Sequence, residues 1–529
     1  MRGITFNNLP PIRQAAQDRM DVACFIGFAP LARTPLFSNT LKQWLNGYGW
    51  DRDKIQLLDT EPGLIRNIPV PLESWDAFLA VFGEKRLGFE AVRTDAHYLP
   101  HYAGAAIKAF FRQGGRKCYF ICMGEPLPYH APDLEKSRRL YTLVWGKEKS
   151  DDALEDMGTF TQNDWLHIWF PAIPHGASPV EDWYGMSHLA GLPDVTYVCF
   201  PDLVDLLGNP AEAPPEKQVT QDTEVFVPCS ASEVEPDWFF AEYEKLPEYT
   251  ATAFAVWKRV VKHILAFLSA HTPTVQLVAG LPIPAKGVLK AFEAFVADDL
   301  LADAEQNQTD YKHLQLGFPW LKTDRSGSLP GALEPPEGIL LGILAAQSRR
   351  IGAFRSVAGS YVETAYDLSP RNIDAYGSRL PKGLSFADQV SWFDFVPDGI
   401  SLQSDVTAVR HGNYRYGAVR RIMILIQRAA HRIGLDYVFE PGSERVWRSI
   451  KGSLIDLLHR IYLNNGLRGK SAKDAYTVAC GRSTMTQNDI DNGRLIANVS
   501  LQPAVPIEAI AVDILMERDR AVLFGEQSQ

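Results

Sequence analysis

Cysteine is scarce in this sequence, and its positions form neither a metal-binding nor a disulfide pattern. Six cysteines occur among 529 residues, most of them inside apolar runs. Cys118 and Cys122 would share one face of a strand, but no second pair and no histidine cluster completes a zinc site. We therefore predict buried free thiols in a reducing compartment, and neither a metal nor a cofactor. The six are Cys24, Cys118, Cys122, Cys199, Cys229 and Cys480.

Long apolar runs and an excess of basic charge are also missing. The stretch 339–346 is among the longest apolar ones, and it is far shorter than the roughly 18 residues of a membrane span. The N-terminus has no apolar core of a signal peptide. We expect synthesis and assembly in the cytoplasm, without direct membrane insertion, and any later release by another route such as lysis. A net charge of -10 and a pI near 5.7 argue against a nucleic-acid partner.

No catalytic pattern that depends on short spacing is complete, but catalytic groups also assemble from distant positions, so these failures alone do not decide whether the chain is an enzyme. Gly469-Lys470-Ser471 resembles the end of a phosphate-binding loop, but Asn464 stands where that loop needs its first glycine. Residues 489–493 begin like a calcium loop, but position twelve is Ser500 rather than glutamate, which favours a turn before a strand. A cytosolic α/β enzyme stays an open alternative. Its site would lie around Asp164, His167, Asp182 and His188.

The composition that is present is that of a folded protein with more than one domain. Hydrophobic residues make up 46% and charged residues 22%, which excludes extensive disorder, and the length exceeds one simple domain. Strand-like and helix-like segments alternate, which predicts an α/β (α+β) fold class. We place an N-terminal linker arm at 1–20, an outer α/β domain at 21–385 with insertions at about 126–334, and a C-terminal domain at 386–529.

The predicted arm carries one short strand and little that it could bury within its own chain. Ile4-Thr5-Phe6 has strand-forming residues, and Pro10-Pro11 prevents a helix after it. A disordered tail and an arm that docks on a neighbouring molecule both fit this pattern. In the outer domain, apolar runs predict buried strands at 22–28 and 117–123, and helical spacing predicts helices at 72–82, 102–111 and 251–270.

The last third of the chain has the clearest pattern of all. Helical spacing predicts one helix over 416–433 and a second that is capped by Ser443 and ended by Gly466. A brief helical turn is predicted at 472–475. A short strand is predicted at 438–439, and three more are predicted at 476–480, 495–501 and 507–515, the last two with clean alternation.

An ordered series of landmarks runs through this region. Residues 439–442 read Phe-Glu-Pro-Gly, residues 503–510 read Pro-Ala-Val-Pro-Ile-Glu-Ala-Ile, and upstream Phe110–Arg116 reads Phe-Phe-Arg-Gln-Gly-Gly-Arg. Further landmarks lie at 413–421, 465–469, 474–478 and 489–495. The series resembles the tail sheath family of contractile phages and phage-derived injection systems, with its Phe-Glu-Pro-Asn element, its Pro-x-x-Pro-x-Glu-x-Ile close and one of its helix ends. Gly442 replaces the family's asparagine, and the arm lacks the usual Pro-Gly-Val-Tyr opening. This resemblance implies a structural role, so we predict that the chain is not an enzyme.

The resemblance implies a structural subunit that polymerises helically around an inner tube and contracts to drive the tube through an envelope. The implied fold has a C-terminal inner domain of two helices and a β-sheet that strands of neighbouring subunits complete. The implied partners are copies of itself in stacked hexameric rings, the tube protein, baseplate and terminal cap proteins, and sheath paralogues. A non-contractile tail or baseplate component is an alternative.

Two sets of residues are predicted to make the contacts between molecules. Donated strands keep backbone hydrogen bonds while linkers flex, although the C-terminal set could also form an ordinary internal strand. A basic face on the second helix could hold an acidic tube, or could simply be solvated. The strand-donating residues are Ile4, Thr5, Phe6, Ile510, Val512 and Ile514, and the tube-contacting residues are Arg445, Arg448 and Lys451.

Overall fold

The fold was analysed in a computed structural model of the chain. The structure describes residues 19–83, 101–127, 131–145, 183–208, 249–283, 292 and 294–517 with short gaps, and 520–527. The gaps inside 294–517 are 325, 327–328, 371–387, 413, 438–439, 441–442 and 505–509. The predicted arm strand at Ile4–Phe6 and the predicted strand at 438–439 lie outside the described residues.

A mixed sheet of eight strands forms the centre of the N-terminal part, which is called the outer domain below. Its strands at 391–396 and 399–402 lie beyond the boundary predicted at 385/386, because they pair with the strand at 314–318. The strand order is β10-β9-β6-β5-β4-β1-β3-β2, and all neighbours are parallel except the two outermost pairs. Parallel strands need both faces covered, which is why their sequences are continuously apolar rather than alternating. The strands are β1 Val22–Gly27, β2 Pro69–Leu72, β3 Lys117–Cys122, β4 Tyr197–Cys199, β5 Gln276–Gly280, β6 Leu314–Phe318, β9 Ser391–Val396 and β10 Gly399–Leu402.

Helices cover both faces of this sheet and enclose two apolar cores. A separate two-stranded sheet, β7 Trp320–Thr323 with β8 Ala365–Ser369, lies beside it. The helices are α1 Asn39–Tyr48, α2 Arg52–Leu57, α3 Trp75–Val81, α4 Tyr102–Arg112, α5 Asp133–Trp145, α6 Leu203–Leu207, α7 Ala251–His271, α8 Leu301–Gln306, α9 Gln308–Tyr311 and α10 Glu337–Arg350.

Two long helices and a four-stranded antiparallel sheet make up the C-terminal part. Helices α11 (Gly417–Leu435) and α12 (Glu444–Leu463) bury their apolar stripes with the inner face of the sheet. The sheet has the order β11-β12-β13-β14. Its strands are β11 Tyr476–Cys480, β12 Leu495–Leu501, β13 Ile510–Glu517 and β14 Arg520–Gln527, and the short helices α13 Ala472–Ala475 and α14 Gln487–Asp491 connect them.

The predicted elements are largely present, with differences at two helices. The helix predicted at 72–82 begins only at Trp75, because Leu72 ends strand β2 and the Ser74 side chain caps the helix. The second helix of the C-terminal part differs at both ends. Ser443 occupies the position before α12, but its side chain makes no capping hydrogen bond. The helix ends at Leu463, before Gly466, because Asn465 takes the left-handed conformation with φ 57°. The turn predicted before β12 is confirmed: α14 has a capping box of Thr486 and Asp489, and it stops before Gly493 at φ 68°.

The predicted state of the cysteines is confirmed where the structure describes them. Cys24, Cys118, Cys122 and Cys199 are buried free thiols on the central strands, and Cys480 is a half-buried one. Burial raises the pKa of Cys122 to about 11, which makes it unreactive near neutral pH. Cys229 lies outside the described residues. Among the helices of the described ranges, none is long and apolar enough to cross a bilayer.

Candidate functional site

The C-terminal sheet contains the strand that the sequence predicts to be shared between molecules. Strand β13 lies inside the sheet, with antiparallel pairing to β12 on one side and to β14 on the other. The positions Ile510, Val512 and Ile514 pair with Leu501, Val499 and Ala497 of β12, and these three partners are all buried. Within one chain, the backbone groups of β13 are therefore satisfied by its own neighbours.

The sheet has two outer edges that could extend its ladder. Strand β11 pairs only with β12 within the described ranges, and β14 only with β13. An edge strand presents a row of unpaired N–H and C=O groups, which is a template for another chain. A strand added next to β11 would lie beside Thr477, whose side chain is exposed.

The described start of the connection from β12 to β13 is bonded to the loop after α12. The Gln502 carbonyl accepts a hydrogen bond from the Arg468 amide at 2.7 Å, and the Ala504 amide donates to the Gly466 carbonyl at 3.0 Å. The connection spans residues 502–509 and contains Pro503 and Pro506. A terminal hairpin that follows such a connection can be exchanged between copies.

Helix α11 joins the C-terminal part to the outer domain through a buried ion pair. Two nitrogens of Arg421 donate to the two carboxylate oxygens of Asp405 at 3.0 and 2.6 Å, and both side chains are 1% exposed. Arg421 also donates to the carbonyls of Ala353 and Arg355. Burial pushes the pKa of Asp405 up, but Arg421 outweighs burial and holds that pKa below its ordinary value. The pair is therefore fully charged and firmly bonded.

Arg428, two turns further along α11, connects three segments of the outer domain. Its guanidinium donates to the Arg19 carbonyl at 2.9 Å, to the Thr196 hydroxyl at 3.0 Å and to the Thr274 carbonyl at 3.1 Å, and it also contacts the Val195 carbonyl. Thr196 and Thr274 precede strands β4 and β5, so Arg428 binds one end of the central sheet. Its bond to the Arg19 carbonyl also holds the first described residue of the chain in place.

Arg420 completes the contact between α11 and the sheet. Its side chain is buried and donates to the Pro273 carbonyl at 2.6 Å, next to His313. Burial, and then the charge of Arg420, lowers the pKa of His313, so that His313 is neutral at physiological pH. Three arginines of one helix thus connect the C-terminal part to the outer domain.

The predicted tube-contacting residues lie on the outer side of α12. Arg445 and Arg448 are exposed and Lys451 is half-buried, whereas the apolar stripe of the helix is buried. Lys451 lies close enough to Cys480 to lower the pKa of that thiol slightly against the larger raising effect of burial. Residues 443–504 contain nine Lys and Arg against five Asp and Glu, a local charge of +4 in a chain of net -10. The face is thus basic within an acidic molecule.

Of the four residues proposed for the alternative enzyme, only His188 lies within the described residues. His188 is buried, with its Nδ1 3.2 Å from the Tyr48 hydroxyl and its Nε2 2.9 Å from the Asn67 carbonyl. Burial lowers its pKa to about 4, so that it is neutral and structural in this position. Asp164, His167 and Asp182 lie outside the described residues. In the described part of the chain, no group of three His, Cys, Asp or Glu residues could hold a metal ion.

Two buried carboxyl groups lie at the carboxyl end of the parallel strands. Asp202 accepts a hydrogen bond from the Phe28 amide at 2.8 Å, and Glu337 contacts the end of β5 at Gly280. Burial raises the pKa of Asp202 to about 7 and that of Glu337 to about 8, helped in the second case by the charge of Asp202. Both side chains are nearly inaccessible to solvent, so they affect stability rather than bind a substrate.

Sequence reasoning missed the arginines of α11 and strand β14. Arg420 and Arg421 stand among the family-like landmarks, but a charged pair beside an apolar stripe is usually solvated, and no spacing rule predicts their burial. Strand β14 begins in the charged sequence 517–520, which hides its alternation. For the arginines of α11, the sequence offers one signal, which is their position on the apolar side of the predicted helix.

Comparisons with known proteins were positive only at the level of three-dimensional structure. No family model and no curated protein matches the sequence. A chain of the cryo-EM structure of the anti-feeding prophage (AFP) baseplate in contracted state matches with a TM-score of 0.56 at 16% identity, covering 96% of each chain.

A second match has nearly the same extent. A chain of the six-fold symmetrised cryo-EM structure of the AFP baseplate matches with a TM-score of 0.51 at 16% identity, covering 92% of this chain and 91% of that chain. The chain therefore shares the fold of these two AFP chains along almost its whole length, and the predicted α/β fold class is confirmed.

Proposed function

We propose that this protein is the sheath subunit of a contractile, phage-tail-like injection particle. The observation that carries the proposal is the shared fold with AFP particle chains over 96% of the sequence, combined with the sheath-like series of landmarks in residues 413–510. The subunit polymerises helically around an inner tube and contracts to drive that tube through an envelope. Stacked rings of six subunits agree with the six-fold symmetry of the AFP baseplate.

Neighbouring subunits are joined by shared strands in the C-terminal sheet. The free edges of β11 and β14 can accept Ile4, Thr5 and Phe6 from an arm of another copy. The hairpin that carries Ile510, Val512 and Ile514 can exchange between copies in the register it has with its own β12. Backbone pairing then continues while the connecting segments change direction, which suits an assembly that rearranges without coming apart.

The basic face of α12 contacts the inner tube. Arg445, Arg448 and Lys451 can hold an acidic surface through screened, reversible attraction, and such contacts weaken as salt rises. Baseplate proteins, a terminal cap and sheath paralogues are the other partners of the assembled particle. Assembly takes place in the cytoplasm, and the particle is released, virion-associated or membrane-anchored afterwards.

A baseplate component is a second candidate function. It is favoured by one observation: the two AFP structures described above, with TM-scores of 0.56 and 0.51, are baseplates. The two functions predict assemblies of different geometry. A sheath subunit forms long helical tubes of one protein, whereas a baseplate component forms a closed ring.

Electron microscopy of the purified full chain tests the proposal. We expect hollow helical tubes at high protein concentration. With the tube protein of the same particle, we expect co-sedimentation that decreases with added salt and is lost in Arg445→Glu/Arg448→Glu. Closed rings would favour the baseplate function. Persistent monomers at high concentration, together with a measurable hydrolase or transferase activity, would contradict both.

A further inference from the structure

A groove of about 320 Å³ lies where the chain enters the fold from the arm. It is formed by the segment before β1, the end of α10, the loop after α10, and α11. Its floor is apolar: Met20 and Ala353 are 5% exposed, pack with Ile424 as a small cluster apart from the main cores, and are flanked by Leu425. Phe354 forms a wall and also packs against the core of the C-terminal part. This groove is large enough for one or two aromatic side chains.

The rim of the groove is basic. Arg19 is paired with Asp21 at 2.8 Å, so these two charges cancel. Arg349 lines the groove, and Arg350 and Arg355 are exposed on either side of the loop that forms it. None of these three arginines has an acidic partner among the residues that the structure describes. Together with the apolar floor, they fit a peptide that carries both aromatic rings and carboxylates.

One segment of the sequence has that chemistry. Residues 233–244, Glu-Val-Glu-Pro-Asp-Trp-Phe-Phe-Ala-Glu-Tyr-Glu, contain five carboxylates, four aromatic rings and no basic residue. The N-terminal arm is a poorer fit, because residues 1–18 carry Arg2 and Arg13 against a single acid, Asp18. Like charges would face each other if the arm occupied the basic rim.

The described chain stops at Gly208 and resumes at Tyr249, and these two ends lie together because the Gly208 amide and the Tyr249 hydroxyl both donate to the Val204 carbonyl. The segment is joined to Tyr249 by four residues, 245–248, and to Gly208 by twenty-four, 209–232. At roughly 3.3 Å per residue, Glu244 can lie at most about 16 Å from Tyr249, and Glu233 at most about 53 Å. The groove itself adjoins Arg19, where the arm leaves for a neighbouring molecule in the proposed assembly.

We propose that the groove binds the acidic aromatic segment 233–244 of a second copy of the chain. The contact joins two different surfaces, and contacts of that kind that do not close generate open helical polymers. This inference rests on the proposed self-assembly, and it adds a side-chain contact of the outer domain to the strand sharing of the C-terminal sheet.

Photocrosslinking of the full chain tests it. Phe354 is replaced by p-benzoylphenylalanine in one preparation, which is mixed with an equal amount of ¹⁵N-labelled chain and irradiated under conditions that give polymers. Mass spectrometry should then show crosslinks between an unlabelled peptide that contains position 354 and a ¹⁵N-labelled peptide from residues 233–244. Such a mixed pair identifies a contact between two chains. Crosslinks within one chain only, crosslinks to the arm or to other segments, or no crosslink would overturn the proposal.

Charge variants separate the groove from general basic attraction. Arg349→Glu/Arg350→Glu/Arg355→Glu should reduce the interchain crosslink at least tenfold, and Glu233→Lys/Glu235→Lys/Asp237→Lys in the partner copy should restore it. The matched control, Lys470→Glu/Arg482→Glu, changes two exposed basic residues outside both proposed contacts and should leave the crosslink unchanged. Tubes that form without the crosslink would refute this contact and leave the proposed sheath function standing.

Discussion

At the scale of single residues, buried charges decide how the two parts of the molecule are joined. A buried arginine must satisfy its donors inside the protein, because water cannot reach them. Arg421 does so with the carboxylate of Asp405 and the carbonyls of Ala353 and Arg355. Such a pair fixes geometry more than it adds stability, since its desolvation offsets much of its attraction. Removal of one partner lowers the free energy of unfolding strongly, because the other charge then stays buried without a counter-charge.

Arg421→Met should destabilise the fold by about 3–5 kcal/mol, because Asp405 keeps its buried position without a counter-charge. The measurement is the midpoint of urea unfolding, followed by circular dichroism. Arg445→Met on exposed α12 is the matched control and should change stability by less than about 0.5 kcal/mol. Equal midpoints for the two variants would mean that the ion pair does not hold α11 to the outer domain.

Glu337 affects stability in a pH-dependent way. Its pKa is raised to about 8 in the fold, above the ordinary value that it regains on unfolding. Between about pH 4.5 and pH 8 the unfolded state has lost a proton that the folded state keeps, so stability falls as pH rises through this window. The expected slope from this one group is about 1.4 kcal/mol per pH unit.

Glu337→Gln should remove that slope, because the amide keeps the neutral shape of the protonated acid. Urea midpoints at pH 5, 6.5 and 8 measure it. The urea midpoint of the variant should rise relative to that of the wild type as the pH increases toward 8. Parallel pH profiles would show that Glu337 is already ionised in the fold.

At the scale of elements, close contact between helices depends on glycines of α10. A Cβ on Gly338 would stand 2.6 Å from the backbone of Ala106 in α4, and one on Gly342 would stand 2.7 Å from the Phe110 carbonyl. Backbone atoms cannot move aside as the end of a flexible side chain can. The two helices therefore approach at these two positions, which lie one turn apart on α10.

Gly342→Ala should destabilise the protein by about 1–3 kcal/mol through overpacking, although alanine is the better helix former. Gly452→Ala in α12 is the matched control. A Cβ there meets no atom within 4 Å, so the substitution should stabilise by about 0.5–1 kcal/mol. Thermal unfolding of both variants gives the signs, and a stabilised Gly342→Ala would refute the close approach.

At the scale of the whole molecule, the proposed assembly depends on the exit of the arm from the fold. The sequence places the arm at 1–20, but Met20 is 5% exposed and the Arg19 carbonyl accepts from Arg428. Removing residues 19 and 20 would therefore disturb the junction with α11 as well as the arm. A truncation that tests strand sharing should stop at residue 18.

Deletion of residues 1–18 should abolish tubes while leaving the far-UV circular dichroism spectrum and the unfolding midpoint unchanged. The physical reason is that the arm strand Ile4–Phe6 is then missing from the sheet edge of the next copy. Negative-stain electron microscopy and sedimentation measure polymer formation. Tubes formed by the truncated chain would exclude strand donation through the arm.

The sequence alone determined the elements with a strong local pattern. Apolar runs without polar alternation specified the parallel strands 22–27 and 117–122, and helical spacing specified α7, α11 and α12 to within a few residues. The landmarks of residues 413–510 also indicate the fold from the sequence alone. These features are local, because a period of two or 3.6 residues can be counted within one segment.

Only the tertiary structure decided which charges are buried and which surfaces are open. Arg421 and Asp405 are 16 residues apart and Arg428 and Arg19 are 409 apart, so their contacts exist only after the C-terminal part packs on the outer domain. The groove at Phe354 arises likewise from three separate segments, 19–21, 348–354 and Leu425. Long-range packing sets the burial of a polar group, and no period within one segment encodes it.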